Sequence, residues 1–255
     1  MKPRTKKFVV NLIQIIVLII VAILLWYGVA LIFDSELIVP EPWTVIKLSF
    51  SLLGQGATYL ALLSTLLRAI CAFVISACVA ILLSMLVNLH PKCNFCVDCI
   101  VTFLRALPTI AIILITLIVF NSSFVPTVVA FLVAFPVIYS VLQRAFQHNG
   151  FLLDVCKVYD VKAAKRIKYM FLPIVREEIL TVIREELPLC IKVVVAGEVL
   201  ALPLSGIGRQ MYIGKVNLDT AKVVALTLLT LIVCFAISGV ISVCQTHFAT
   251  KRSQS

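Results

Sequence analysis

Five ionisable residues lie in or beside one apolar segment in the last third of the chain. They are Arg184, Glu185, Glu186, Lys192 and Glu198. Charged side chains inside a membrane segment are costly, so they line a polar path, pair with one another or reach the membrane surface. We expect Arg184, Glu185, Lys192 and Glu198 to line a path for a solute. For residues 184–186, pairing with a second subunit and a position at the cytoplasmic interface remain alternatives.

Lys192 is the deepest of these cations when the helical rise is counted along the segment. It follows Ile179 by 13 residues (192 minus 179), or about 20 Å of helix. An unpaired ammonium group facing lipid would cost at least about 2.5–3.5 kcal/mol. We therefore expect Lys192 to face the path, where it attracts an anionic group, or to pair with an acid of a second subunit.

A second group of residues has the spacing of a metal site. Cys93, Cys96 and Cys99 follow His90 at intervals of three, and zinc and iron–sulfur sites use such ligands. Positions three apart spiral around a helix rather than converge, and no second C-x-x-C follows. We therefore predict no metal site. The three histidines also offer no Ser-His-Asp or Cys-His pairing, which argues against an enzyme.

The chain lacks the sequence of a nucleotide-binding P-loop. That loop requires G-x-x-x-x-G-K-[ST], so that backbone amides surround the phosphates and the lysine reaches them. The nearest run has Arg209 in place of the first glycine, and Val216 follows Lys215. We expect no cofactor on this chain, so any ATP and Mg²⁺ would be bound by a separate subunit.

The composition requires a membrane around these groups. Of the 255 residues, 62% are hydrophobic and 13% charged, against about 45–50% and about 25% in soluble domains. These values exclude a soluble globular domain, a disordered chain and a disulfide-rich secreted domain. The 22 Lys and Arg residues against 12 Asp and Glu residues then orient membrane segments rather than bind nucleic acid.

Apolar runs predict an all-α integral membrane protein with six transmembrane helices in a single domain, residues 1–255. The predicted spans are Phe8–Phe33, Thr58–Leu89, Leu104–Phe120, Phe124–Leu142, Ile179–Ala201 and Ala221–Cys244. Pro42–Leu53 is predicted to be an amphipathic helix on the outer membrane surface. Arg68 and Arg105 are interpreted as interface anchors near span ends.

The distribution of Lys and Arg orients these spans. It places both termini in the cytoplasm, in the ranges 1–7 and 245–255, together with the loop at residues 144–178. It places residues 34–56 and 202–219 outside. The loop at 144–178 is the most basic, with seven Lys and Arg residues against four Asp and Glu residues.

Within this loop, the run Asp154–Asp160 (D-V-C-K-V-Y-D) precedes Leu172-Pro173. It resembles the "EAA" motif of permease subunits of bacterial binding-protein-dependent ABC importers. That motif reads E-A-A-x-x-x-G, with Leu-Pro about eleven residues after the glycine. Here Asp154 replaces the glutamate, Val155-Cys156 the two alanines and Asp160 the glycine. Asp160 adopts a left-handed conformation more readily than most residues, so the turn can form.

Other segments resemble, in the same order, the importers of nitrate, taurine, alkyl sulfonates and thiamine-precursor pyrimidines. They are Ile38–Pro42, Thr65–Arg68 with Phe73, Leu104–Pro108, Phe135-Pro136, Arg184 with Val195–Glu198, and Ser205–Gly208. Family members usually carry apolar or small residues at the positions of Glu185, Glu186 and Lys192. Those charges are therefore particular to this chain.

The resemblance implies a type I importer permease in a bacterial cell membrane, with a coupling loop between spans four and five. It implies that Tyr159, Asp160 and Val161 form a turn that docks on an ATPase, with Val155 and Cys156 facing the ATPase groove. The expected coupling residues also include Asp154, Leu172 and Pro173. The implied partners are an ATPase dimer, a second permease copy or paralogue, an extracytoplasmic binding protein or lipoprotein, and lipid.

Three alternatives remain open from the sequence. The charge of the loop at 144–178, taken alone, favours a basic, lipid-facing segment that obeys the positive-inside rule, whereas the Leu172-Pro173 spacing favours docking. The whole chain is also compatible with a secondary transporter that uses buried Glu and Lys residues as ion sites. A membrane enzyme acting on lipid would require a cluster of His or Asp residues at one interface.

Overall fold

The computed structural model describes residues 3–33 and 35–252, with the side chains of residues 13–33, 35–152, 154–156 and 158–243. The predicted cytoplasmic positions of Met1, Lys2 and residues 253–255, and the predicted outer position of Asp34, lie outside the described residues. Across the described ranges the regular structure is helical and includes no strand, so the all-α prediction is confirmed.

The helices follow one another with short connections. They are α1 (Pro3–Phe33), α2 (Pro42–Leu53), α3 (Gly56–Leu89), α4 (Asn94–Ala106), α5 (Thr109–Val119), α6 (Val125–His148), α7 (Gly150–Val158), α8 (Ala163–Arg166), α9 (Leu172–Ala201), α10 (Ile207–Val216) and α11 (Thr220–Arg252). A 3₁₀ turn at Pro91–Cys93 precedes α4, and a π-helical turn at Ile167–Phe171 leads into α9. The prediction of a helix at Pro42–Leu53 is confirmed.

Four helical segments are long and apolar enough to cross a membrane: Ile13–Phe33, Gly56–Leu89, Val125–His148 and Thr220–Val243. Pro91–Ala106 and Thr109–Val119 together would form a fifth, but they are bent by 100°. The chain is therefore a multi-pass helical membrane protein with four or five candidate spans. The number six is not supported.

The predicted third span, Leu104–Phe120, is wrong as a continuous helix. α4 ends at Ala106 and α5 begins at Thr109. Pro108 disfavours the helical conformation of the residue before it, and Leu107 is accordingly extended, with φ −72° and ψ 129°. α5 has 11 residues, so it is only about 16 Å long.

The predicted fifth span, Ile179–Ala201, lies within a longer helix. α9 has 30 residues, begins at Leu172 and carries Pro173 in its first turn, where a proline N–H is not needed. Among the described helices, α9 is long enough to cross a membrane but contains too many charged residues to be a candidate span. This composition makes α9 the unusual helix of the molecule.

Packing divides the chain into two compact units, residues 1–58 with 210–229, and residues 59–209 with 230–255. In the first unit, Trp26 Nε1 donates to Pro40 O at 3.1 Å and so ties α1 to the segment before α2. α1 otherwise exposes most of its described side chains, with Ala30 buried. This exposure suits a helix that faces lipid.

In the second unit, α6 is the central helix and packs along α9 and against α4 and α5. Its buried side chains include Phe135, Tyr139, Leu142 and Phe146. Aromatic contacts follow its length, from Phe135 with Tyr139 to Phe146 with Phe171. The core of this unit therefore fixes α9 against a membrane-spanning helix.

Candidate functional site

The basic loop between α6 and α9 folds into two short helices, α7 and α8, joined by a tight turn. Asp160 has φ +46°, the left-handed conformation predicted for it. Val161 N donates to Cys156 O at 2.9 Å, and Arg166 Nε donates to Val161 O at 2.7 Å. These two hydrogen bonds tie Val161 to the residues before and after the turn, and so they hold the turn in this conformation.

The turn exposes apolar side chains to a degree unusual outside a membrane. Val158 is 80% exposed, Tyr159 is 76% exposed and Tyr169 is 69% exposed. The exposed cations Lys162 and Lys165 lie between them in the chain. An apolar patch with a basic border is typical of a surface that docks on another protein. We refer to Val158, Tyr159, Tyr169 and the two lysines as the docking patch.

The other predicted coupling residues are distributed around this turn. Val155 and Cys156 are half-buried, and Cys156 packs against the core of its own unit. The exposed apolar surface is therefore formed by the docking patch and not by Cys156, where it was predicted. Asp154 and Leu172 are exposed, Val161 is half-buried, and Pro173 is exposed in the first turn of α9. Contact of these residues with an ATPase stays a prediction.

Two contacts fix the register of α9 along α6, that is, which residues of the two helices lie at the same height. Near the start of α9, the rings of Phe171 and Phe146 lie 5.2 Å apart. Near its end, a Cβ added to Gly197 would lie 3.0 Å from Pro126 Cα. Arg184 is 13 residues from both Phe171 (184 minus 171) and Gly197 (197 minus 184). It is therefore level with the middle of α6.

This register places the charged residues of α9 along α6. Arg184 and Glu185 lie level with the middle of that helix, and their position relative to the cytoplasmic interface stays a prediction. Lys192 is five residues from Gly197, about 8 Å from the level where α6 begins. Arg184 and Glu185 are therefore nearer to the middle of α6 than Lys192 is.

The same helix separates its charges onto two faces. Arg184, Glu185 and Lys192 are exposed on the surface of the chain, whereas Glu186 is 5% exposed and Glu198 is fully buried. Exposed charges at this level are compatible with an aqueous path or a partner, but not with lipid. For the three exposed residues, the predicted role of lining a solute path therefore stays a prediction. Glu198 lies in a different environment, because it is buried.

Glu198 is the centre of a buried polar cluster. Arg68 Nη1 donates to Glu198 Oε1 at 2.7 Å, and the Gly208 amide donates to Oε2 at 3.0 Å. Thr65 Oγ1 lies 2.9 and 3.0 Å from the two carboxylate oxygens, and accepts a bond from the Ile207 amide at 3.0 Å. We call these five residues the Glu198 cluster. Both oxygens of the carboxylate are satisfied within the chain.

Arg68, interpreted from the sequence as an interface anchor, follows the first residue of α3 by 12 positions and pairs with Glu198. Arg68 also donates to Ser205 O at 2.7 Å. Gly206 has φ +154°, and a Cβ there would collide with the Glu198 carboxylate. Three of the segments that resemble importer permeases meet here, namely Thr65–Arg68, Val195–Glu198 and Ser205–Gly208. Nothing in the sequence indicated that these segments are in contact.

A second polar region was not predicted from the sequence. Tyr139 on α6 donates to Asp98 on α4 at 3.2 Å, and Asn88 donates to Gln143 at 2.7 Å. Arg105, in the last turn of α4, donates to Ser140 Oγ at 3.1 Å. It borders a half-open cavity of about 170 Å³ beside the break between α4 and α5. These bonds hold α3 and the interrupted helix pair against α6.

The cysteines with the spacing of a metal site, Cys93, Cys96 and Cys99, are not grouped as metal ligands among the described residues. Cys96 and Cys99 are exposed on α4, and Cys93 is half-buried in the preceding turn. In the described part of the chain, no three His, Cys, Asp or Glu side chains are grouped closely enough to hold a metal ion.

No protein-family model matches the chain, and no curated protein matches it. Its function is therefore inferred from its own residues and geometry.

Proposed function

We propose that this chain is the membrane-spanning permease subunit of a binding-protein-dependent ABC importer in a bacterial cell membrane. One observation carries the proposal. Between the antiparallel helices α6 and α9, the chain builds a compact helix–turn–helix whose left-handed residue, Asp160, stands at the glycine position of the importer motif. Its tip exposes Val158 and Tyr159. This is the geometry required to fit into a groove on a soluble partner.

The connections of the turn supply a route for movement. α8 continues through the π-helical turn directly into α9, and Phe171 at that junction packs on Phe146 near the end of α6. A push on the docking patch would therefore act on both helices together. Rigid-body tilting of packed helices is a common form of alternating access. ATP hydrolysis would take place on the partner ATPase, which binds ATP and Mg²⁺.

The charged face of α9 supports a translocation path along this helix. Arg184, Glu185 and Lys192 are exposed on the surface of the chain, and of the three Lys192 is the one available to water or to a small solute released by a binding protein. Glu198 is removed from the proposed path, because its carboxylate is buried against Arg68. The transporting unit would contain two permease subunits, with the ATPase dimer on the cytoplasmic side.

Replacing Asp160 tests the coupling role. Proline fixes φ near −65° and cannot adopt the +46° of this position, whereas glycine can. Asp160→Pro should abolish co-purification of an ABC ATPase, identified by mass spectrometry, after extraction from the native membrane in mild detergent. Asp160→Gly is the matched control and should retain the ATPase. Retention by the proline variant, inserted at normal levels, would overturn the assignment of this turn.

The orientation of the loop is tested independently of any partner. In a cysteine-free background, Lys165→Cys should react with a membrane-impermeant maleimide only after cells are opened. Labelling in intact cells would place the docking patch outside and exclude an ATPase contact.

A second candidate is an ion-driven secondary transporter, favoured by Glu186. This residue is buried, and its Oε2 has no hydrogen-bond partner among the described atoms, as expected of a site that takes up a proton or a cation. In that case, uptake into vesicles would follow an imposed pH gradient without ATP, and Glu186→Gln would abolish it. Uptake that requires ATP and survives Glu186→Gln supports the permease.

A further inference from the structure

One face of α9 is left uncovered by its own chain. The exposed positions Glu185, Lys192, Ala196 and Leu200 follow one another at helical spacing, with Arg184 beside Glu185. The opposite face is buried, mainly against α6. We refer to these five residues as the open stripe.

The open stripe carries two opposite charges where lipid is least able to accept them. Arg184 and Glu185 are level with the middle of α6, as the contacts of Phe171 and Gly197 require. Within the described residues neither side chain forms an ion pair or a hydrogen bond with another helix. A guanidinium group and a carboxylate at this depth need partners. The described residues of the chain do not supply them.

We propose that a second copy of this chain covers the open stripe, with Arg184 of each copy paired to Glu185 of the other. This inference rests on the proposed permease role, which requires two membrane subunits. Two copies inserted in the same direction are related by a two-fold axis along the membrane normal, so each residue meets residues at its own depth. Arg184 and Glu185 differ in depth by only about 1.5 Å. The two-fold axis therefore forms the same ion pair twice.

The charge pattern favours an identical copy over other occupants. Lipid tails offer no hydrogen bonds to either group. A non-identical subunit would need its own acid and base at this level, whereas a second copy carries them already. The two copies of Lys192, two turns further along, would repel each other. The helices must therefore diverge beyond Glu185, as helices that cross at an angle do, and the Lys192 side chains then face a hydrated space.

Two charge reversals test the pairing without knowledge of the solute. Copies of the chain with two different affinity tags are expressed together, and recovery of one tag with the other is measured in nanodiscs. Arg184→Glu in both copies gathers four carboxylates at the contact, and Glu185→Arg in both copies gathers four guanidinium groups. Each should lower recovery about ten-fold relative to the unmodified chain, because like charges then face each other.

Mixing the two variants decides the question. A copy with Arg184→Glu and a copy with Glu185→Arg carry complementary charges, so their joint recovery should return to that of the unmodified pair. Arg176→Glu is the control, since Arg176 is exposed on α9 but lies outside the open stripe. Restored recovery also shows that both variants fold.

Other outcomes overturn the inference. Absence of self-recovery for the unmodified chain would mean that a non-identical subunit or lipid covers the stripe. Normal self-recovery of either single variant, or failure of the mixture to recover, would place the contact elsewhere. ATPase retention is scored on the same samples. If it persists while self-pairing fails, the permease role stands and only the identity of the second subunit is wrong.

Discussion

The two charged regions of α9 solve the same physical problem in opposite ways. Near the C-terminal end of α9, Glu198 is fully buried, and Arg68, Thr65 and the Gly208 amide satisfy it inside one chain. At mid-height, Arg184 and Glu185 are exposed and form no ion pair among the described residues. The first region therefore stabilises the subunit. The second is available to something outside it, and this difference separates structural charges from candidate functional charges.

The largest loss of stability is expected when Arg68 is replaced. Arg68→Ala would leave the buried Glu198 carboxylate without its cation, and breaking a buried pair in this way costs about 3–5 kcal/mol. We expect a loss of that size in unfolding free energy, measured by titration with a denaturing detergent. Arg176→Ala, which replaces an exposed cation of α9 outside the open stripe, is the control and should change it by less than about 1 kcal/mol. Equal losses would mean that Arg68 contributes no more than an exposed surface charge.

A smaller loss is expected when the backbone around the Glu198 cluster is altered. Gly206→Ala adds a methyl group where the Glu198 carboxylate lies, at a φ of +154°. Backbone strain of this kind costs about 1–3 kcal/mol. Gly239→Ala is the control, because a Cβ there meets nothing within 4 Å, and alanine in a helix should be stabilising by about 0.5–1 kcal/mol. The two variants should shift thermal unfolding in opposite directions.

Glu186 sharpens the contrast between satisfied and unsatisfied buried acids. The Oε2 atom of Glu186 lacks a partner among the described atoms, whereas Oε1 and Oε2 of Glu198 each have one. Replacing a poorly satisfied buried charge with an apolar group of similar volume is often neutral or stabilising. Glu186→Met should therefore leave unfolding free energy unchanged or higher, within about 1 kcal/mol. The same change at Glu198 should be clearly destabilising, and a similar loss at both sites would contradict this view.

The smallest effect on folding is expected at Lys192, where only transport should respond. Lys192→Met retains the length of the side chain and removes its charge, so assembly and ATPase retention should be unchanged. Uptake is measured with labelled nitrate, taurine, an alkyl sulfonate and a pyrimidine in proteoliposomes. We expect the transported solute to enter more slowly, or the preference among the four to change. Normal uptake with unchanged preference would show that Lys192 is a boundary residue.

Much of the helical layout follows from local sequence. Apolar length places α1, α3 and α11, and Glu41-Pro42 starts α2 at the predicted residue. The left-handed turn at Asp160 was also predicted from residue type. These features depend on neighbours within a few positions, which is the range over which composition and propensity act.

Features that depend on distant contacts were not predicted. Arg68 and Glu198 are 130 residues apart in the chain, so no local pattern indicates that they pair. The level of Arg184 along α6 depends on where Phe171 and Gly197 meet that helix, which counting along the sequence does not give. The break at Leu107 had a visible signal in Pro108, but the long apolar run outweighed it.

The break before α5 has a consequence for the surrounding lipid. α5 spans about 16 Å by helical rise, against about 30 Å for the hydrocarbon core of a bilayer. Its side chains Ile110, Leu114 and Ile118 are exposed, so we expect this short helix to contact acyl chains. A bilayer adapts to a short apolar segment by local thinning. We therefore expect the activity of the protein to depend on acyl-chain length, with an optimum in thinner membranes than its longer helices alone would suggest.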